Sequence, residues 1–505
     1  MKTTFDNIQE SKNQKIIEQC IKDGNIQQDA LVYYYSLFSK PEFLKYRRLK
    51  SYFLQSIFTY DYLFNIEYLC EHLQITENDC YALKNAKIKR AHFPVTPHNN
   101  GNESEIRKLI FFDAELESNT LTFPNENNHV KSALESVSKA LKRKFFIMFD
   151  DYFAGRSFSL AAVAAALLKE DKLKYFAFSG EVKENGTITK VENLPAKRKI
   201  SEEKGLFIVS PDSVDNLNQL KKLNAETVHI PFIQLFGKQK TELEKNLVKI
   251  SDNDLVKDYK IWIEILGRDR SLVFTHTEGL LENSIEVWDR LLRDFSEKIN
   301  KLYQLPYSVN IHFLGSLSAF AFLSGIVFGA KNKITIYHYQ DGGIFRVMDF
   351  SDKSARLLKS KTKKYEKIKY SLEYTETESE DAAIVIYLAS HNPKNDAQKY
   401  IKSNLRCSLL FICLENNQGN IGLNEDDWIK TVAEIYTLVD EASEIIGCNI
   451  KKYHFFMSVP VPVAFGFGMA YGDYKKIAVY NYDKGMNTYK KVADSDLSKN
   501  LKMAF

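Results

Sequence analysis

No Gly-x-x-x-x-Gly-Lys-Ser/Thr run occurs anywhere in the 505 residues. The loop that cradles phosphates in a nucleotide-driven unfolding motor is therefore excluded. Six cysteines are scattered (Cys20, Cys70, Cys80, Cys407, Cys413 and Cys448), none within a Cys-x-x-Cys pair and none with a histidine at zinc-finger spacing. No metal site is expected from them. The opening MKTTFDNIQESKNQ has no apolar core of the kind a secretory signal needs. Long apolar runs are also scarce. Residues 157–168 are too few to cross a bilayer, and 313–330 is broken by Gly315, Ser316, Ser318, Ser324 and Gly325, so it reads as a buried strand and helix. A large charge of one sign is missing too. The net charge of +4 argues against a protein that coats duplex nucleic acid, though it leaves room for a local basic pocket. These absences predict a reducing, cytoplasmic setting with no membrane contact.

What is present is ordinary globular material, 44% hydrophobic and 27% charged, and its length suggests about three domains. Residues 1–85 carry apolar and aromatic residues at helical spacing through LVYYYSLF, LKSYFLQSIFTYDYLF and NIEYLCEHL. Near residue 86 the period changes to two. RKLIFFDAELESNTLTF predicts a hairpin turning at Ser118-Asn119. Then follow a helix over HVKSALESVSKALKR, a strand at KFFIMFD and a small-residue helix at SFSLAAVAAALLKE. A strand KYFAFSGEV, a helix AKRKISEEKG and strands LFIVSP and AETVHIPFIQLF complete an α+β unit over about 86–250. The polar run 237–258 predicts a helix and linker.

Residues 251–505 repeat themselves. IHFLGSLSAFAFLSGIVFGAKNKITIYHYQ (311–340) aligns with YHFFMSVPVPVAFGFGMAYGDYKKIAVYNYD (453–483), with one insertion. His312 matches His454, Gly325 matches Gly468, and Gly329 matches Gly472. Upstream, Trp288 and Trp428 each open a long amphipathic helix, and YKIWIEIL and AAIVIYLA predict an apolar strand in each copy. Two copies, about 255–350 and 380–505, predict a duplicated, doubly wound α/β fold of Rossmann type. Ligands of such sheets sit outside the carboxyl ends of the strands. The candidate binding residues are therefore Arg268, Gly315 and Ser316 in the first copy, and Ser390, His391, Ser458 and Pro460 in the second.

The pattern of His-Phe, small and Pro residues, Gly-x-x-x-Gly and Ile/Val-Tyr-x-Tyr resembles the SAVED domain, a fusion of two CARF-like units. The resemblance implies a cyclic oligonucleotide ligand, cyclic tetra-adenylate in the CRISPR-associated branch or a cyclic trinucleotide in the cyclase-linked one. It also implies self-association into stacked oligomers on binding.

The α+β unit carries a second constellation. Ser157 stands at the start of the small-residue helix, where unpaired backbone N–H groups can stabilise an oxyanion. Lys197 follows the apolar Val191, Leu194, Pro195 and Ala196. A lysine walled by such residues loses its charge readily and can act as a general base. Gly155-Arg156-Ser157, Ser179-Gly180-Glu181-Val182, Gly186 and Lys197, in that order, resemble the proteolytic domain of Lon proteases. That resemblance implies an ATP-independent Ser-Lys endopeptidase needing no catalytic cofactor and cutting a specific protein substrate. Arg156 replaces the family's Pro, and Phe158-Ser159 replaces its Ala-Gly, which leaves Ser159 as a reserve nucleophile. Together the two halves resemble CRISPR-associated Lon proteases fused to a SAVED domain. A noncatalytic, ligand-gated scaffold is the competing expectation. The lysine-rich segment 354–370 reads as a solvated connection between the copies.

Overall fold

The computed structural model describes Cys70, residues 75–96, 104–123 and 127–494, except residues 152, 154, 377, 416–420, 423 and 473–475. Most of the helical segment expected over 1–85 lies outside the described residues. Its end forms α1 (Glu77–Lys84), capped by the Thr76 hydroxyl. Cys80 on α1 is disulfide-bonded to Cys70, a pairing the expected reducing setting did not anticipate. No helix among the described residues is long and apolar enough to cross a membrane. The chain divides into two compact units, one ending at Ala225 and the other beginning at Glu226.

The N-terminal unit is a six-stranded sheet in the order β3-β4-β2-β1-β5-β8. Its strands are β1 (Lys87–Val95), β2 (Glu105–Asp113), β3 (Leu121–Phe123), β4 (Phe146–Phe149), β5 (Phe176–Phe178) and β8 (Phe207–Val209). A separate small ribbon joins β6 (Glu181–Val182) to β7 (Ile188–Thr189). Helix α2 (Asn128–Leu141) buries Val130, Ala133, Leu134 and Val137 on the expected face. The predicted hairpin does not form. β3 pairs in parallel with β4, and β2 pairs with β1 and β4. The four fully buried residues of β4 occupy the central position that a β2–β3 hairpin would fill. The loop at Glu117-Ser118 is instead tied to Asp79, whose carboxylate accepts both backbone N–H groups. After β4 come α3 (Ser159–Leu167), the short α4 (Glu170–Leu173), α5 (Leu194–Glu203) and α6 (Leu217–Lys221).

In the C-terminal unit, β9 (Thr227–Phe236) overturns one assignment. It was expected to end the α+β unit, but it pairs in parallel with both β10 (Phe274–Thr277) and β11 (Ser308–Gly315). With β12 (Lys333–Gln340) and β13 (Gly343–Asp349) these make a sheet ordered β10-β9-β11-β12-β13. The run 237–258 forms the predicted helix but links no two domains, since it follows β9 inside the C-terminal unit. It holds α7 (Lys240–Ser251), a crossover helix that buries Leu243, Leu247 and Ile250. YKIWIEIL is a helix, α8 (Tyr259–Ile265), and not the predicted strand. Its apolar residues are contiguous, a pattern that fits a buried strand and a buried helix equally well. Then come α9 (Ile285–Leu302) and α10 (Ser318–Phe328).

The second sheet is ordered β14-β16-β15-β17-β18-β19. Its strands are β14 (Ile368–Tyr374), β15 (Asp381–Tyr387), β16 (Ser408–Leu414), β17 (Lys452–Ser458), β18 (Lys476–Asp483) and β19 (Thr488–Asp494). Its helices are α11 (Lys394–Asn404), α12 (Glu425–Asp440), α13 (Ala442–Ile446) and α14 (Val461–Tyr471). The true partner of β15 in the first copy is therefore β9, and the first copy begins near Thr227. The bulge between Ile336 and Tyr337 recurs between Val479 and Tyr480. The indole N–H of Trp288 donates to Glu282 O (3.1 Å), and that of Trp428 to Gly422 O (2.9 Å). The lysine-rich connection is partly neutralised by α12. Lys361 pairs with Asp440, Lys367 pairs with Asp427, and buried Glu434 accepts the N–H groups of Glu366, Lys367 and Ile368.

The two copies join through α10 and α14. A Cβ built on Gly325 would lie 2.1 Å from Phe465 O, and one on Gly468 would lie 2.0 Å from Phe322 O. The contact is reciprocal, so each glycine receives the backbone of the other helix. Gly325→Ala is expected to destabilise the C-terminal unit. Overpacking of about 1–3 kcal/mol or more outweighs the roughly 1 kcal/mol gained in helix propensity. The atoms nearest a Cβ on Gly466 are all in side chains, of Met348 and Val432 at 3.3 Å and of Leu358 at 3.7 Å. Gly466→Ala should be neutral or mildly stabilising. Urea denaturation of the two variants compares them directly.

Candidate functional site

In the N-terminal unit the chain leaves β4 and enters a packed aromatic knot. Phe149 meets Phe153 and Phe158 edge-on at 4.9 and 5.1 Å, and Phe93 meets Phe153 at 4.9 Å. The knot anchors Phe158 at the N-terminus of α3. Gly155 supplies the positive φ (102°) of the loop before it. Ser157 is half-buried beside that helix start. Its carbonyl accepts the Gly180 N–H at 2.9 Å, and the Leu160 N–H donates back to Gly180 O at 3.1 Å. The Ser-Gly-Glu-Val segment is thereby stitched to the nucleophile candidate.

Ser159 is fully buried. Its Oγ accepts the Val182 N–H at 2.9 Å and lies 2.8 Å from Arg156 O and 3.2 Å from Gly180 O. A hydroxyl so committed holds two backbone segments together and is not available to attack. Arg156, standing where the resemblance expected proline, pairs with Glu181 at 3.2 Å, and Lys183 shares that carboxylate.

Lys197 lies in the first turn of α5 and is 5% exposed. Burial drives its ammonium down to about 8, against a small opposing effect of Glu192. Lys199, two residues on, points to solvent beside Glu203. Both β4→α3→β5 and β5→α5→β8 are parallel crossovers advancing the same way across the sheet. Right-handed connections of that kind put both helices on one face with their N-termini at the carboxyl end of the strands. Both helices pack on β1 and β2. The Ser157 hydroxyl and Lys197 amine are not hydrogen-bonded to each other.

Two groups in this unit were given no role of their own by the sequence. The Ser179 hydroxyl is buried without a hydrogen-bond partner. Asp150, at the end of β4, accepts the Lys108 N–H through one oxygen while the other has none, and burial raises its carboxyl to about 7.

In the C-terminal unit the two carboxyl strand ends face each other. A Cβ on Gly315 would meet Val461 Cγ1 at 2.8 Å, and the Ser318 hydroxyl donates to Val459 O. Ser316 Oγ accepts the Phe236 N–H at 3.1 Å, and the Ser458 hydroxyl donates to His391 O. Gly315 and Ser316 thus approach the segment holding Ser458 and Pro460, and His391 joins Ser458, with Ser390 directly before it. Arg268 is a correction. It follows α8, its N–H closes that helix on Ile263 O, and it stands at no strand end because α8 is not a strand. The position it was meant to fill belongs to Gly237-Lys238, directly after β9. There a cavity of about 490 Å³ is lined by Gly237, Lys238, Lys245, Asn246, Lys249 and Tyr339, among others. Lys238 is bridged to Glu242 and Lys249 to Gly342 O, while Lys245 has no ion pair among the described residues. The signal for these lysines was in the sequence, but β9 had been assigned to the other domain.

Nearer the middle of the strands, His312 Nδ1 meets the Tyr337 hydroxyl at 2.9 Å and His454 Nδ1 meets that of Tyr480 at 3.0 Å. The other ring nitrogen differs between copies. That of His454 faces Asp381 at 3.0 Å, whereas that of His312 faces His229 at 2.9 Å. Burial and His229 push His312 down to about 3, so it is neutral.

The two serines can be told apart by stability. Ser159→Ala strands the buried Val182 N–H and should cost about 1–3 kcal/mol. Ser157→Ala should leave the melting transition within about 0.5 kcal/mol. Thermal unfolding of both variants checks this.

Three structural likenesses accompany this geometry. A Cap4 SAVED/CARF-domain receptor of Acinetobacter baumannii with the cyclic trinucleotide 3'3'3'-cAAA has a TM-score of 0.38 at 12% identity, over 74% of this chain and 80% of that one. The same receptor with 2'3'3'-cAAA gives 0.36 at 12%, with the same coverage. The Cap4 receptor of Moraxella osloensis gives 0.34 at 12%, over 80% and 94%. No curated protein matches the chain in sequence. The profile of the family described as "SMODS-associated and fused to various effectors sensor domain" matches residues 290–494, a span running from within α9 to the end of β19. Over those residues, the C-terminal unit carries a SAVED sensor domain.

Proposed function

We propose that the SAVED-bearing unit binds a cyclic oligoadenylate and that binding switches on a Ser-Lys endopeptidase in the N-terminal unit. The observation that carries the peptidase is Lys197, an amine kept out of water at the start of a helix and titrating near 8. In the reaction, neutral Lys197 Nζ takes the proton of Ser157 as Oγ attacks a peptide carbonyl. The Ser159 and Leu160 N–H groups are already taken by Arg156 O and Gly180 O. The N–H groups of Ser157 and Phe158 remain for the oxyanion. The ammonium of Lys197 then protonates the departing amine. Water, deprotonated by the same amine, releases the acyl group and restores Ser157. In that second half the ammonium returns its proton to Ser157 Oγ, so Lys197 ends each half-reaction neutral and no cofactor is required. With no motor motif in the sequence, the substrate is a specific partner protein cut at an exposed segment.

For the messenger, the cavity after β9 supplies cations for phosphates, and the apposed strand ends of the two copies supply small residues that let a ring approach the backbone. Cyclic tetra-adenylate is favoured by the resemblance to CRISPR-associated proteases. Cyclic tri-adenylate, which the Acinetobacter receptor holds, is the competing ring. The messenger activates to the extent that it binds the active state more tightly than the resting one.

A serine-directed fluorophosphonate tests the reading. Labelling should require cyclic tri- or tetra-adenylate and vanish in Ser157→Ala and Lys197→Ala. Equal labelling of wild type and Ser157→Ala sinks the peptidase and leaves a binding-only scaffold. The rate of labelling should rise with pH through about 8 and then level off. The lowered pKa means that the active, neutral amine accumulates above it. Lys197→Arg, which stays charged, should be inactive at every pH. Messenger binding is read separately. Lys245→Glu should weaken it about tenfold by calorimetry, the ~1.4 kcal/mol expected from reversing one phosphate-facing charge.

A further inference from the structure

The N-terminal unit holds a second cavity, of about 970 Å³, that the peptidase reading does not use. It opens where Leu167 and Leu168 end α3, the opposite end of that helix from Ser157. Nine helical residues set the two apart by about 13 Å along the axis.

Its walls are unusually basic. Lys87, Lys89 and Arg90 come from β1, Lys108 from β2, and Lys169 and Lys174 from either side of α4. Three carboxylates also line it: Asp113, Glu170 and Asp171. Asp113 is already bridged by Lys89 at 3.0 Å and by Arg143 at 2.9 Å, so it offers little charge to the cavity. Lys87, Lys108 and Lys174 form no ion pair among the described residues. Six cations against three carboxylates, one of them doubly paired, leave a concave surface of net positive charge. Low-dielectric walls concentrate such a field.

A second observation points the same way. His92 lines this cavity between the basic strands, and its Nδ1 is buried with no hydrogen-bond partner. Burial, then the charge of Lys108, hold its imidazole below the usual value against a hydrogen bond to the Phe176 backbone that raises it, so the ring is neutral and its one N–H is given to that backbone. Nδ1 is thus an open acceptor, whose burial is a cost that a hydroxyl or amino group of a bound compound would remove.

We propose that this cavity binds a compact, multiply charged phosphate compound of the nucleoside triphosphate class, held by its phosphate chain. The cations converge from three elements on one hollow. They do not form the stripe that a nucleic-acid backbone would follow. The volume lies within the range of small-molecule sites. The inference is independent of both the peptidase and the messenger reading.

Inorganic triphosphate is the probe, added to the full chain and followed by calorimetry. One site is expected, several-fold weaker at 200 mM than at 50 mM salt. Lys87→Glu/Lys108→Glu, two exposed positions, should weaken it at least tenfold without changing the melting temperature. If that pair unfolds, Lys174→Glu replaces it, with the same expectation. Lys245→Glu should leave triphosphate binding intact, which separates this cavity from the one after β9. Nucleoside triphosphates should bind at least as tightly as triphosphate. Binding that survives reversal of Lys87 and Lys108 overturns the proposal. So does binding of a nucleoside triphosphate without binding of triphosphate, or binding of a glutamate-rich peptide alone.

Discussion

Two helices made almost wholly of buried residues must touch backbone to backbone, and the architecture of the C-terminal unit rests on that contact. Ten of the eleven residues of α10 are buried, as are ten of the eleven of α14. Neither helix has a polar face to show to water. Each is covered chiefly by the other, with α9, β17 and β18 adding to the cover of α10, and α12, β11 and β12 to that of α14. Gly325 and Gly468 set the distance of approach, and the phenylalanines three residues earlier, Phe322 and Phe465, supply the backbone oxygens each glycine meets. Phe313 packs tilted against Phe465 at 4.1 Å, and Phe322 stacks on Phe467 at 5.1 Å. With the helices fixed, the carboxyl ends of β11 and β17 are brought face to face. The candidate messenger site is thus a by-product of the core: the glycines needed for packing also determine where the small-residue loops meet.

The parts legible in the sequence were those where both copies obey the same constraint. His-Phe at the strand, the spaced glycines and the tyrosines of the last strand are each tied to a contact that recurs: the His–Tyr bond, the helix crossing and the bulge. The start of the first copy was hidden because β9 carries His229 and Pro231 where β15 has Asp381 and Ala383. No shared residue marked the equivalence, and the apolar YKIWIEIL nearby offered a better-looking strand. Only hydrogen bonding to β10 and β11 decides between them. The same shift misplaced Arg268 and hid Lys238, Lys245 and Lys249.

In the N-terminal unit the legible features were local and the illegible ones depended on long-range pairing. Spacing distinguished Lys197 from Lys199, and burial agrees with that choice. Sequence could not separate Ser157 from Ser159, because the difference lies in what each hydroxyl touches. It lies in segments more than twenty residues away, at Gly180 and Val182. Nor could it show that β4 would separate β2 from β3. A buried lysine is itself a cost to the fold, since desolvating an amine is unfavourable. The unit keeps Lys197 inside by the apolar packing of α5 against the sheet, and the neutral form limits that cost.

The mutual dependence of α10 and α14 bears on ancestry. A single copy, cut free of its sibling, would present an eleven-residue apolar cylinder with a glycine notch at its eighth residue. The nearest complement to that surface is a second molecule of the same kind, turned about a twofold axis. A chain holding both copies can then let them diverge, as the His229 and Asp381 positions have done, while neither notch glycine can change alone. In this chain that contact is internal, and each half serves as the cover of the other.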